Sequence, residues 1–287
     1  MKKFKKIIII MILVLFTTTG CFKTDDMENI NIITTVYPIE YVLTNLYGER
    51  AIINSVYPDG INIYEYKFSE KEYKDFSKQK LFVYNGLSDD KDIAIKLLNK
   101  NNKLLILDTS FGMEYEYGLE ELWLNPSNLL MMSQNIKNGL SELIESNLIK
   151  DDINKKYNEL KVQLSELDAD IKDLSEHASN KTIIVSSPTL MYLSKYGFNV
   201  LLINDDKENS KNYSDALKLI NDKTVSYIYS LENEEESKSL AQIKKETKVE
   251  VLEIDRIDNM TDEERDNKKD YISLMQQNIE LLRKGVK

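Results

Sequence analysis

Cysteine and histidine are almost absent from the 287-residue chain, which contains one of each, Cys21 and His177. A single cysteine excludes an intramolecular disulfide, so the fold must be stabilised by a packed core. One imidazole and one thiol cannot build the four-ligand sites that hold zinc in most proteins. His177 stands near the C-terminal end of a long predicted helix, where the helix dipole favours it, and we expect a surface residue there rather than a metal ligand.

Basic residues are also scarce relative to acidic ones, with 38 Lys and Arg against 48 Asp and Glu and a net charge of −10. This balance argues against a nucleic-acid partner and against a polybasic membrane-binding patch. The sequence has no phosphate-binding loop, no nucleophile elbow and no Cys/His pair. We therefore predict that the chain is not an enzyme.

The longest apolar run lies at the N-terminus, where four lysines precede the ten residues from Ile7 to Phe16. Ten residues at about 1.5 Å each cannot span a hydrocarbon core of about 30 Å, but they suit a signal peptide. Gly20 directly before Cys21 resembles a lipobox, although Thr18 departs from the usual leucine. We predict a lipoprotein signal peptide at 1–20 and lipidation of Cys21, which would anchor the protein to the outer face of a bacterial cell membrane. The alternatives are an ordinary signal peptide or an uncleaved anchor.

Strand patterns alternate with helix patterns in two parts of the chain, after a polar tether at 21–29. In the first part, residues 30–150, strands are predicted at 31–36, 51–57, 80–86 and 103–109, and helices at 38–47, 69–78, 89–100 and 125–146. In the second part, residues 180–287, strands are predicted at 181–186, 198–204, 225–230 and 248–255, and helices at 188–197, 210–221, 234–247 and 267–285. Such alternation is typical of parallel βαβ units.

Between the two parts, residues 151–179 carry apolar side chains at alternating spacings of four and three, from Ile153 to Ala178. This pattern predicts a helix of about 40 Å. A coiled-coil stem is one interpretation, but a seam of under four heptads favours a helix that lies along its own protein. The predicted fold is α/β, with two βα lobes containing parallel sheets joined by one long rigid helix. A ligand cleft is expected between the lobes.

Five segments in order resemble the metal-binding solute receptors of zinc and manganese ABC transporters. They read TTVYPIEYVLTNLYGE, LFVYNGL, ELWLNPSNLLMMSQNI, YLSKYGFNV and DYISLMQQNIELLRKGVK. The resemblance covers nearly all of residues 30–287. It implies a monomeric extracytoplasmic receptor that captures a divalent cation between two lobes and delivers it to an ABC permease in the membrane.

The resemblance also implies where the metal would bind. Members of that family typically use three histidines and a carboxylate, and this chain has Tyr64, Glu121 and Ser187 at the histidine positions. Asp255 is the nearest carboxylate to the fourth position. The histidine-rich loop of the zinc members is replaced by the short segment at 111–121.

These four residues would form a site with oxygen ligands only, which suits manganese, magnesium, calcium or ferric iron better than zinc. A trivalent cation could also lower the pKa of a tyrosine enough to bind it as tyrosinate. Nearby acids would enrich the entrance in cations, namely Glu65, Glu114, Glu116 and Glu120. Two interpretations stay open: an altered site for manganese, zinc or iron, or a lost site in a paralogue that acts as an accessory or adhesion-type surface lipoprotein. The many tyrosines near the cleft leave an organic solute or a protein partner conceivable.

Overall fold

The computed structural model describes residues 26–203 and 211–286, which form two four-stranded parallel sheets. The first sheet has the order β2-β1-β3-β4 and the second the order β6-β5-β7-β8. Their strands are β1 Ile30–Thr34, β2 Ala51–Ser55, β3 Leu81–Tyr84, β4 Leu105–Asp108, β5 Thr182–Val185, β6 Asn199–Leu202, β7 Tyr227–Leu231 and β8 Glu250–Ile254. The predicted fold class of two parallel-sheet lobes is confirmed. Cys21, the predicted signal peptide and most of the predicted tether lie outside the described residues.

The helices of the first lobe begin and end at residues with clear local causes. They are α1 Tyr37–Tyr47, α2 Glu70–Phe76, α3 Asp90–Lys100, α4 Glu121–Leu124 and α5 Pro126–Leu143. A reciprocal capping box starts α2, since the backbone N–H of Glu72 donates to Ser69 Oγ and the backbone N–H of Ser69 donates to the Glu72 carboxylate. The helix predicted at 125–146 corresponds to α5, and the short helix α4 before it was not predicted. Asn125, extended because Pro126 follows it, separates α4 from α5 and caps α5 through its side chain.

The long helix α6 covers Asn147–His177, 31 residues, and starts earlier than predicted. At about 1.5 Å per residue it is about 46 Å long. The predicted apolar stripe is buried and packs against α5, α1 and the final helix, α10, at Tyr271–Val286. The helix therefore lies along its own protein and contacts elements of both lobes, as the short heptad seam indicated.

The second lobe differs from its predicted pattern in two places. Residues Pro188–Tyr196 form a 3₁₀ helix rather than an α-helix, and it ends at Gly197 with φ of 98°. The final helix, predicted at 267–285, begins later, at Tyr271, because Lys268 adopts a left-handed φ of 55° and Asp270 accepts a hydrogen bond from the Ser273 backbone at 2.8 Å. The remaining helices are α7 Lys211–Asn221, α8 Lys238–Thr247 and α9 Asp262–Asp266.

The two lobes are joined by backbone hydrogen bonds as well as by α6. The loop after β8 docks on the first lobe: Tyr37 N–H donates to the Asp258 carbonyl at 2.9 Å, and Gly60 N–H donates to the Met260 carbonyl at 2.7 Å. Trp123, fully buried, lies at the centre of the junction and accepts a hydrogen bond at its carbonyl from the Tyr271 hydroxyl at 2.5 Å. The lobes thus share one continuous apolar core.

Among residues 26–203 and 211–286, none of the helices combines the length and the apolar character that crossing a bilayer requires.

The buried stripe of α6 is expected to carry much of the stability of the fold. Leu167 is 1% exposed, so Leu167→Ala should lower the free energy of unfolding by about 2–5 kcal/mol through lost burial and a residual cavity. Val162 lies on the same helix but is 56% exposed, and Val162→Ala should change stability by about 0.5 kcal/mol or less. Thermal or urea unfolding compares the two variants, and equal effects would contradict the packing of this helix.

Candidate functional site

The carboxyl ends of both parallel sheets face the junction of the lobes. Loops that follow β2, β4, β5 and β8 therefore meet there, as ligand-binding loops do in α/β folds. Gly118 shows how closely they approach, because a Cβ at this position would lie 1.9 Å from Thr189 Oγ1 of the second lobe. Only glycine allows the first-lobe loop to pass this point without moving its neighbour.

Glu120 is the carboxylate at the centre of this junction. Only 6% of the residue is exposed, and both carboxylate oxygens accept hydrogen bonds. Oε1 accepts from the Tyr64 hydroxyl at 3.0 Å and from the guanidinium of Arg256, while Oε2 accepts from Thr189 Oγ1 at 3.0 Å. A single carboxylate of the first lobe is thus bound by two side chains of the second.

Arg256, the residue after predicted ligand Asp255, is the cation of the cleft. Its guanidinium carbon lies 4.3 Å from the centroid of the Tyr64 ring, and its Nε lies 3.3 Å from Asp258 Oδ2. Burial lowers the pKa of Arg256, but Tyr64, Glu120 and Asp258 outweigh that effect and raise it. The guanidinium is therefore permanently charged, and it combines ion pairs with a cation–π contact.

Tyr64, a predicted metal ligand, acts here as a hydrogen-bond donor. Although 48% of the residue is exposed, its hydroxyl is directed at Glu120. Burial and then the Glu120 carboxylate raise the pKa of Tyr64 far above its usual range, and Arg256 opposes them only in part. The phenol keeps its proton, so binding a metal as tyrosinate would require that proton to leave.

Glu121, the second predicted ligand, has other partners. It is 1% exposed, and one carboxylate oxygen accepts the backbone N–H groups of Glu116 and Tyr117, each at 3.1 Å. The other oxygen accepts from Lys195 Nζ of the second lobe at 2.6 Å. These bonds fix the turn before α4 and join the lobes a second time. The structure brings Tyr64 to Glu120 rather than to Glu121.

Ser187, the third predicted ligand, is fully buried at the end of β5. The Ser187 hydroxyl lies near Glu234 and lowers the pKa of that carboxyl, but burial raises the same pKa by more. The hydroxyl and the carboxylate do not form a standard hydrogen bond. Arg256 also lowers the pKa of Glu234, and Glu120 raises it.

Asp255, the fourth predicted ligand, lies at the edge of a small cavity of about 100 Å³ with three other acids, Glu232, Asp258 and Glu264. Asp255 Oδ1 accepts the Ile257 N–H at 2.7 Å. Burial and, to a smaller extent, the neighbouring carboxylates raise the pKa of Asp255 to about 6, and that hydrogen bond opposes them in part.

Within residues 26–203 and 211–286, no three His, Cys, Asp or Glu side chains are grouped so that they could hold a metal ion. That Tyr64, Glu121, Ser187 and Asp255 bind a metal stays a prediction. The sole histidine, His177, is exposed at the end of α6 and lies 3.0 Å from Asp173.

Sequence reasoning missed the part played by Glu120 and did not consider Arg256 or Thr189. Glu120 was expected only among the acids at the cleft entrance. The sequence did contain one indication that Arg256 belongs to the cleft. It directly follows Asp255, the carboxylate that the resemblance assigns to the metal. A cation at that position can pair with the acids around it, as Arg256 does with Glu120 and Asp258.

Comparison with known proteins gives one family match that covers most of the chain. Residues 32–285 match the family described as "ZnuA: Zinc-uptake complex component A periplasmic". The chain is 25% identical over 319 aligned residues to a "Metal ABC transporter substrate-binding lipoprotein" of Lactococcus lactis, with 99% of each chain covered. It is 22% identical to the "Zinc-binding protein AdcA" of Streptococcus pyogenes, and it spans 55% of the length of that longer protein.

A solved structure supports the fold. The crystal structure of the Zn(II)-bound ZnuA-like domain of AdcA from Streptococcus pneumoniae superposes with a TM-score of 0.71 at 22% identity. The match covers 90% of this chain and 99% of that domain. At this identity the likeness shows a shared architecture.

Removal of the Glu121 carboxylate should destabilise the protein. Glu121→Ala leaves two backbone N–H groups and Lys195 without their acceptor, so we expect a loss of about 2–4 kcal/mol in the free energy of unfolding. Glu121→Gln keeps an oxygen for the amides and should lose less. Chemical denaturation measures both, and an Ala variant as stable as the wild type would show that these bonds are unimportant.

The charge on Asp255 should cost stability at neutral pH. Its pKa of about 6 in the folded protein exceeds the value of about 3.9 in an unfolded chain. The charged carboxylate therefore lowers the free energy of unfolding above pH 6, and this effect fades as pH falls towards 4. Asp255→Asn should therefore stabilise the protein by about 1–2 kcal/mol at pH 7.5, and by less at pH 5. Thermal unfolding at both pH values tests this, with exposed Glu263→Gln as the control. If Asp255→Asn stabilised the protein equally at both pH values, the raised pKa of Asp255 would be contradicted.

Proposed function

Because the chain belongs to the zinc-uptake complex component A family, whose members are receptors rather than enzymes, we propose that it is the solute-binding receptor of an ABC uptake system for a metal ion. The names of its relatives support this role, since they include a metal ABC transporter substrate-binding lipoprotein and a zinc-binding protein. The observation that carries the proposal is Glu120, a buried carboxylate at the lobe junction with hydrogen-bond donors from both lobes.

We propose that the cargo cation lies against Glu120, between the lobes. Tyr64 would supply an oxygen from the first lobe, and Ser187 and Asp255 would supply oxygens from the second. Glu121 is the alternative first-lobe carboxylate. A site made only of oxygen ligands favours manganese or iron over zinc.

Delivery requires a partner in the membrane. We propose that an ABC permease accepts the cation, and that a lipid on Cys21 keeps the monomeric receptor at the outer face of the cell membrane. Because α6 packs against both lobes along its length, release would proceed by local rearrangement of the cleft loops rather than by a wide hinge motion.

One observation favours a second candidate function. Arg256 already neutralises Glu120, and the described residues contain no grouped metal ligands. A paralogue that has lost metal binding would act as an accessory or adhesion-type surface lipoprotein.

Metal binding separates the two candidates. A chain that starts at Phe22 keeps every described residue and can be screened for melting shifts with manganese, zinc, iron(II) and calcium, together with elemental analysis of the purified protein. A metal at 100 times its Kd should stabilise the protein by about 2.7 kcal/mol. A protein that contains no metal and shifts with none would contradict the receptor function.

Paired variants then test where the metal binds. Glu120→Gln should abolish the metal-dependent shift because the amide carries no charge, whereas exposed Glu114→Gln should leave the shift intact. If Glu121→Gln, and not Glu120→Gln, abolishes the shift, then Glu121 is the ligand.

A further inference from the structure

We infer that Arg256 is a tethered counter-cation: its guanidinium takes the place between the lobes that a metal cargo would occupy, joins the lobes without cargo, and limits how tightly a metal binds. This inference rests on the proposed function for one point, namely that the ligand competing with Arg256 is a metal ion. It is carried by the contacts of this side chain with both lobes.

The charges at the junction require a cation. Glu120 is buried, and a buried carboxylate without a positive partner is strongly unfavourable. Arg256 is 16% exposed at its side chain and supplies that charge to Glu120 of the first lobe and to Asp258 of the second. A metal ion in the cleft would serve the same two carboxylates.

The guanidinium also holds elements of both lobes together. It lies over the ring of Tyr64, and Tyr64 in turn donates to Glu120. Thr189 donates to the second oxygen of Glu120 from the second lobe. Both carboxylate oxygens of Glu120 therefore already accept hydrogen bonds from protein groups.

The backbone around Arg256 is fixed in the orientation that places this side chain in the cleft. The Arg256 carbonyl accepts a hydrogen bond from Trp123 Nε1 at 2.7 Å. Ile257, fully buried, has a φ of 54°, a left-handed conformation that a β-branched residue adopts only when its surroundings enforce it. The next two residues are held as well, since the Ile257 N–H donates to the Asp255 carboxylate and the Asp258 carbonyl accepts from the Tyr37 N–H.

Metal and arginine consequently compete for Glu120. A metal ion can reach this carboxylate only after the guanidinium leaves it, which breaks one ion pair and one cation–π contact and separates the Asp258 pair. The measured metal affinity of the wild-type protein should be lowered by the free energy of those contacts.

The test replaces Arg256 by an uncharged side chain of similar length. Arg256→Met should bind manganese about tenfold more tightly or better than the wild type, because two carboxylates lose their internal cation. Without metal it should melt at a lower temperature than the wild type, and manganese should close that gap. Isothermal titration and thermal unfolding measure both effects.

Arg265 offers a matched control. It also joins the lobes, through Glu40 and Asp59, but it lies outside the Glu120 cluster. Arg265→Met should lower the melting temperature and leave manganese affinity unchanged. If Arg256→Met fails to fold, Arg256→Lys carries the test, since an ammonium cannot reproduce the planar fork and manganese affinity should rise by about threefold.

The outcomes separate this inference from the proposed function. Manganese binding only by the Arg256 variants supports the counter-cation and overturns a metal cargo for the wild type. Equal, measurable affinity in wild type and Arg256→Met overturns the counter-cation and leaves the receptor function standing. No manganese binding by either protein overturns the inference.

Discussion

The ion pair between Glu120 and Arg256 is the interaction on which the lobe junction depends. Glu120 comes from the loop before α4 and Arg256 from the loop after β8, so the pair joins the ends of two parallel sheets that share no strand. Tyr64 and Thr189 complete the cluster from opposite lobes. A buried carboxylate is tolerated here because a guanidinium neutralises it and three donors satisfy it.

This arrangement places a paired carboxylate at the centre of the cleft in this chain. A receptor that closes on a cation needs unpaired carboxylates in its cleft, and here the central carboxylate has an internal partner. A second ion pair, between Glu121 and Lys195, lies next to the Glu120–Arg256 pair. Both pairs use an acid of the first lobe and a base of the second, so the junction is held by charges that belong to the chain itself.

Sequence patterns predicted the architecture well because it depends on local periodicity. The Ser69 cap, the α6 stripe and the alternation of strands and helices are all encoded within short windows. Helix type and helix starts were less accessible: the sequence pattern did not distinguish the 3₁₀ geometry at Pro188–Tyr196 from an α-helix, and it missed the local turn before Tyr271. The side-chain partners of Glu120 and Glu121 could not be read from one sequence, since they lie about 56 to 136 residues away in the chain. The sequence also does not show that these two adjacent glutamates point to different partners.

The central claim is that Arg256 holds the lobes together without a metal. Because the chain from Phe22 contains no native cysteine, spin labels can be placed on cysteines introduced at exposed Lys91 and Lys245, one in each lobe. Pulsed electron spin resonance then gives the distance between the lobes. The account predicts one narrow distance distribution in chelator that zinc leaves unchanged, and only a small broadening for Arg256→Met in chelator because α6 and the shared core still join the lobes. A wild-type distribution that is broad in chelator and narrows only with metal would contradict it.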